Sequence, residues 1–347
     1  MKQNRIVEKR TNKRNETHFL LQEMWAGILF VFLLPYVCAC LWGHVGEEKE
    51  QLRHLADREV ELSFQPEKEY VGNIELSWGT WTLPLEEYLV YELAATMPEH
   101  YEPETLKAQA VLLRTEFLQR ASEQQTDNLT LQEPALEPWY GTGIDEMPEN
   151  YREAVKETEG IYLCYEGKPV LVAYCLISNG HTRNAQENWN TTAYPYLAGV
   201  ESGQDENASG YRQTVVVSKV VYLEKLKGII EPTEELGTEE LEDSLWQRAK
   251  YEYDSAGYVT RVSFYKGENQ EEFIASCKGE QFRYLFGLQS ASFTAAEDGG
   301  KIVFQVTGVG HGYGMSQYGA NHKAVNGESY DEILKEYFPG TELAKIE

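Results

Sequence analysis

The chain has 347 residues, 42% of them hydrophobic and 12% aromatic, enough apolar material for one large domain or two small ones. Its formal net charge is −25. So acidic a body repels a phosphate backbone, which argues against nucleic acid as a partner.

The first residues depart from this balance. Residues 1–24 carry six Lys/Arg against three acids and read as a basic cytosolic tail. Residues 25–43 are 19 positions without a charge, just long enough to span a bilayer as a helix. Basic residues lie before the run, and Glu47, Glu48 and Glu50 follow it. That asymmetry predicts a single-pass anchor in the cell membrane, with everything after Gly43 outside. A cleaved signal peptide lacks an Ala-x-Ala site here, whereas Val37-Cys38-Ala39-Cys40 faintly resembles a lipoprotein cleavage site. Residues 44–70 are densely charged and read as a stalk.

Residues 71–345 carry mixed helix and strand signals, which predicts an α+β domain. Apolar and polar residues alternate over 74–81, the period of a strand. A short helix is expected over 85–95, ended by Pro98, and a long one over 104–122, opened by Pro103. Leu106, Ala110, Leu113 and Phe117 make one apolar stripe on the long helix, while Lys107 and Arg114 share another face and Gln109 lies off that line. A helix near 151–159 precedes an expected hairpin of 161–165 and 170–177. The second arm is almost wholly apolar and predicts a central strand ending in the polar turn Ser178-Asn179-Gly180-His181-Thr182. Residues 186–210 read as a polar loop with Trp189 and Tyr196. Beyond it come strands at 215–218, 258–265 and 302–306, helices near 222–229 and 330–337, a short helix bearing Arg283, and a solvated acidic insertion at 231–243.

Near the C-terminus, His311-Gly312-Tyr313-Gly314-Met315-Ser316-Gln317-Tyr318-Gly319 sets polar side chains in a glycine-rich run, a pattern that brings backbone and side chains close to a ligand. Cys164, Cys175 and Cys277 show no Cys-x-x-Cys or zinc spacing, so neither a metal nor a cofactor is expected.

These words resemble a family when taken together. Leu85-Glu86-Glu87-Tyr88-Leu89, Met97-Pro98, Leu106-Lys107-Ala108-Gln109-Ala110-Val111 and Arg114-Thr115 occur upstream, Ser178-Asn179-Gly180-His181-Thr182 in the centre, and the glycine run with Tyr337-Phe338-Pro339-Gly340-Thr341 at the end. Their order, from about Ile74 to Thr341, is similar to that of the SpoIID/LytB family. The resemblance implies a protein of bacterial cell-wall glycan, either a lytic transglycosylase of sporulation or an amidase enhancer. It implies a catalytic glutamate immediately before Met-Pro, a position held here by Thr96.

That departure divides the functional expectation. A lytic transglycosylase needs a carboxyl group that protonates the leaving oxygen and then takes the proton of the C6 hydroxyl. A threonine hydroxyl does neither at pH 7. Glu92 lies four residues earlier, one helical turn away, and is the candidate relocated acid. The favoured expectation is a peptidoglycan strand binder of sporulation or wall remodelling, impaired in catalysis, that stimulates another hydrolase such as an amidase or works with sporulation membrane proteins. The alternative is an active lytic enzyme using Glu92. The expected cleft combines the helix of Lys107, Gln109 and Arg114, the turn of Ser178 and His181, and the loop of His311, Ser316, Gln317 and Tyr318.

Overall fold

Two prolines punctuate the helical hairpin around which the chain is built. The structure, a computed structural model, describes residues 70–76, 79–227, 249–266 and 272–346. The expected tail, anchor and almost all of the stalk, and the acidic insertion, lie outside the described residues. Among the described residues, no helix is long and apolar enough to cross a membrane.

Helix α1, Leu85–Thr96, opens with Glu86 and Glu87 in its first turn, where carboxylates complement the helix dipole. It stops at Met97, which is extended as the residue before a proline should be. Helix α2, Pro103–Gln124, starts on a proline whose fixed φ suits the first turn, and ends where Gln125 turns left-handed. It is buried on most of its circumference and forms the axis of the first core, where Leu89, Leu93, Leu106 and Phe117 meet Ile74 and Leu129. The alternation over 74–81 belongs to two strands rather than one. Val71–Leu76 and Gly79–Pro84 pair antiparallel, and Asn128–Leu131 adds a parallel third strand. Helix α3, Glu149–Glu157, follows.

The apolar run 170–177 does not form a central strand. Only Tyr174–Cys175 is ladder-paired, in parallel with Met315–Ser316. Its other backbone groups find irregular partners: Leu171 N–H donates to the Tyr196 hydroxyl at 3.0 Å, and the Ala173 carbonyl accepts from Met315 N–H at 3.0 Å. The preceding strand, Ile161–Tyr165, pairs instead with the C-terminal strand Glu342–Lys345 and briefly with Lys168–Pro169.

At the start of the expected loop the chain forms the short helix α4, Ala185–Trp189, and within the loop a 3-10 turn, Gly203–Asn207. A second core follows. Strand Arg212–Ser218 pairs with Lys301–Thr307, which pairs with Phe293–Asp298. A separate antiparallel sheet joins Ala249–Tyr253, Val259–Lys266 and Glu272–Lys278. Helices α5, Lys219–Leu226, and α6, Gly279–Phe286, pack with them around Phe264, Phe282, Phe286, Phe293 and Phe304. Each such ring contributes roughly 1.5–3 kcal/mol by leaving water. Helices α7, Gln317–Val325, and α8, Tyr330–Tyr337, complete a mixed α+β fold in which the long helix α2 is central.

Candidate functional site

The glycine loop is threaded tightly against protein. Gly314 has φ +67°, and a Cβ there would stand 1.8 Å from the Ala173 carbonyl oxygen. Only glycine permits that backbone approach. The loop is tied at both ends, by mutual hydrogen bonds between Ile177 and Val309 and by Arg183 N–H donating to the Gly312 carbonyl at 2.8 Å. Its glycines therefore serve chain packing and hold the start of α7 in place.

That placement brings three of the sequence candidates together. Gln317, the first residue of α7, donates from Nε2 to the Thr96 carbonyl at 3.3 Å and to Gln109 Oε1 at 3.4 Å. Gln109 is fully buried, and its own Nε2 has no partner. The Thr96 hydroxyl donates back to the Glu92 carbonyl at 2.8 Å. At the position where the family resemblance implies an acid, the hydroxyl is thus turned onto its own helix and the carbonyl is bonded to the amide of Gln317, which also reaches Gln109.

Ser178 and Ser316 sit behind this junction and converge on a residue the sequence reading missed. Asp205 Oδ2 accepts from Ser178 N–H at 2.8 Å and from Ser178 Oγ at 2.6 Å. Burial raises its pKa, and hydrogen bonds from Ser178 and Ser316 oppose the rise. Ser316 also caps α7 by accepting from Gly319 N–H. Tyr318 is half-buried and donates its N–H to the Leu176 carbonyl at 3.1 Å.

His311 is neutral at pH 7. Burial, then the charges of Arg283 and Arg183, push its imidazole down to about 4. Its Nδ1 accepts from Tyr313 N–H at 3.0 Å. Arg183 lies between the rings of Tyr258 and Tyr313, at 4.9 and 4.6 Å, and pairs with Asp254 at 2.7 Å, so this loop rests on a buried cation. Trp189 packs on Tyr313 with centroids 5.0 Å apart.

Three candidates lie elsewhere. Arg114 is fully buried and committed: Nε and Nη2 bind Glu86 at 2.8 and 2.6 Å, and Nη1 donates to the Ile161 carbonyl at 3.0 Å. It clamps α2 to the start of α1 and to Ile161. Lys107 pairs with Glu104 at 2.7 Å and Glu157 at 2.5 Å. His181 is exposed and lines a separate shallow cavity of about 150 Å³ with Thr182, Asn184 and Glu201.

Glu92 lines a partly open cavity of about 210 Å³ with Tyr88, Glu116, Arg120, Glu133 and Tyr174 among others. Burial, then the charges of Glu133 and Glu116, push its carboxyl up to about 8, so it is protonated at pH 7. Its Oε2 has no hydrogen-bond partner. The sequence signal for this face is helical spacing: 88, 92 and 96 on α1 meet 109, 113, 116 and 120 on the antiparallel α2. Among the described residues, no three His, Cys, Asp or Glu side chains are arranged to hold a metal ion, and Cys164, Cys175 and Cys277 are buried thiols.

Comparison with known proteins finds a family model and several relatives. A family model described as SpoIID, stage II sporulation protein, matches residues 79–165, which hold α1, α2 and α3. The chain is 30% identical over 280 residues to stage II sporulation protein D of Bacillus subtilis (strain 168), covering 76% of both chains. It is 31% identical over 280 residues to the protein of that name from Bacillus amyloliquefaciens, covering 76% of this chain and 75% of the relative. It is 26% identical over 282 residues to an amidase enhancer of Bacillus subtilis (strain 168), covering 71% of this chain and 39% of that one.

Proposed function

This chain belongs to the SpoIID family, and on that premise we propose that it is a cell-wall protein of sporulation that holds peptidoglycan glycan strands without cleaving them. The observation that carries the reading is Thr96. Its hydroxyl is engaged with the Glu92 carbonyl, its carbonyl accepts from the Gln317 amide, and that amide also reaches Gln109. Amides and hydroxyls hold sugar hydroxyls, but none can protonate a glycosidic oxygen at neutral pH. In this reading the site binds glycan and has no proton donor at the Thr96 position. Residues 25–43 tether the protein to the membrane in this reading, with the folded part on the wall side. One relative's name, amidase enhancer, supports a role in stimulating a second hydrolase.

Denuded glycan strands incubated with the full-length protein test this. Retention of strands on the protein without anhydro-muropeptide products is the expected result. Lytic products from the wild-type protein would overturn it.

One observation favours a second reading. Glu92 is protonated near neutral pH and has a free oxygen, the state a general acid requires. It stands one helical turn from Thr96, and displacements of about 1 Å already damage orientation-dependent catalysis. If Glu92 is the relocated acid, lytic products form and vanish in Glu92→Gln.

A further inference from the structure

The cavity around Glu92 is a second candidate site, distinct in chemistry from the amide junction at Thr96. Its floor is Glu92, 8% exposed, with Tyr88, 6% exposed. Its mouth is formed by partly exposed residues of α2 and the following segment, Glu116, Arg120 and Glu133. Tyr174, from the strand beside the glycine loop, closes another side.

The charges are unevenly satisfied. Arg120 pairs with Glu116 and, at 3.7 Å, with Glu133, so one cation serves two carboxylates. Among the described residues no cation forms an ion pair with Glu92, and only the more distant charge of Arg120 favours its ionisation; the side chain lines the cavity, and its Oε2 is buried without a hydrogen bond. A buried polar atom left unpaired costs roughly 1–3 kcal/mol unless something satisfies it. An anion is excluded by the surrounding carboxylates. A divalent metal lacks a convergent ligand set among the described residues. A guanidinium is already present in Arg120 at the mouth. A primary ammonium fits all of these conditions: it is compact, carries three donors and no acceptor, and tolerates aromatic faces.

We propose that the cavity between α1 and α2 binds a primary ammonium group, which donates to the Glu92 carboxylate and is offset in charge by Glu116 and Glu133. The chemistry has two sources in a cell wall, the side-chain amine of a diamino acid in a stem peptide and the amine of an unacetylated amino sugar. The proposal goes beyond glycan retention and does not need it. Binding converts the neutral carboxyl to a carboxylate, and that proton leaves to solvent. Ligand uptake at pH 7 therefore releases close to one proton per site.

Isothermal titration of the full-length protein with N-acetylcadaverine, in two buffers of different ionisation enthalpy, tests it. Expected are one site per chain, proton release, and no binding of the neutral isostere N-pentylacetamide. Glu92→Gln matches the volume and charge of the protonated side chain, so it preserves the fold. It abolishes the proton release and weakens binding about tenfold, the scale of one charged hydrogen bond. Glu133→Gln weakens binding but keeps the proton release. Glucosamine in place of N-acetylcadaverine separates the sources: the amine that binds tighter names the ligand. Equal behaviour of amine and neutral isostere, or proton release that survives Glu92→Gln, overturns the proposal. Failure of strand retention with amine binding intact sinks the glycan reading alone.

Discussion

Gln317 at the start of α7 donates to the carbonyl of Thr96 at the end of α1 across 3.3 Å, joining two segments 221 residues apart. The same amide reaches Gln109 on α2. Three helices thus share one polar junction, and the glycine loop exists to deliver the third.

That junction carries an energetic cost that predicts a trade-off. Gln109 is fully buried with an unpartnered Nε2. Gln109→Leu removes the orphan donor and loses only one long hydrogen bond from Gln317. The variant should be as stable as wild type or more stable by about 1 kcal/mol, while strand retention falls. Urea denaturation and a glycan pull-down on the same sample check both halves. A marked loss of stability would show that Gln109 is structural only.

Arg114 gives the opposite pattern. Its guanidinium is buried in a two-bond pair with Glu86 and also donates to the Ile161 carbonyl. Arg114→Leu leaves Glu86 without its partner, but Glu86 remains a third exposed. The expected loss is about 3 kcal/mol, at the low end for a broken buried pair. Strand retention by the folded fraction should be unchanged. Retention lost without a change in the urea midpoint would return Arg114 to the binding surface.

Comparing these two residues shows what the sequence carried. The helical hairpin was legible because Pro98 and Pro103 punctuate it and the apolar stripe has a clean helical period. The choice of face was not, because Lys107 and Arg114 stand out by charge, whereas a buried amide such as Gln109 has no local signature. The run 170–177 has the composition of a central strand. Most of its partners, the backbone of Val309, Met315, Ser316 and Tyr318 and the Tyr196 hydroxyl, are distant in sequence and invisible to any local pattern. Asp205 was hidden for the same reason, since only the fold brings Ser178 and Ser316 to it.

Glu92 predicts a stability slope with pH. Its carboxyl is raised from 4.5 to about 8 in the folded protein. Below pH 4.5 both states hold the proton and the residue contributes no slope. Between 4.5 and about 8 the unfolded state has lost it and the folded state has not, so stability falls as pH rises, by up to about 1.4 kcal/mol per unit. Above that range the folded state is ionised too and the slope ends. Glu92→Gln should flatten this part of the profile and be the more stable protein at pH 7. Urea midpoints at pH 5, 6, 7 and 8 for both proteins check the sign; parallel profiles would mean that Glu92 ionises normally.

The glycine loop yields a test of whether backbone approach, rather than glycine content, holds the junction. Gly314 and Gly327 both have positive φ, +67° and +92°. A Cβ at Gly327 meets nothing within 4 Å, whereas at Gly314 it meets the Ala173 carbonyl oxygen at 1.8 Å. Gly327→Ala therefore costs only the left-handed backbone strain, about 1–2 kcal/mol. Gly314→Ala adds a clash with a main-chain atom that cannot swing aside as a side-chain tip can. Relief requires the Tyr174–Cys175 and Met315–Ser316 strands to separate, which withdraws Gln317 from Thr96. The expected cost exceeds that of Gly327→Ala by about 1–3 kcal/mol, with strand retention lost in the folded fraction as well. Equal urea midpoints for the two variants would mean that the loop is free to move and that Gln317 is held at Thr96 by α7 alone.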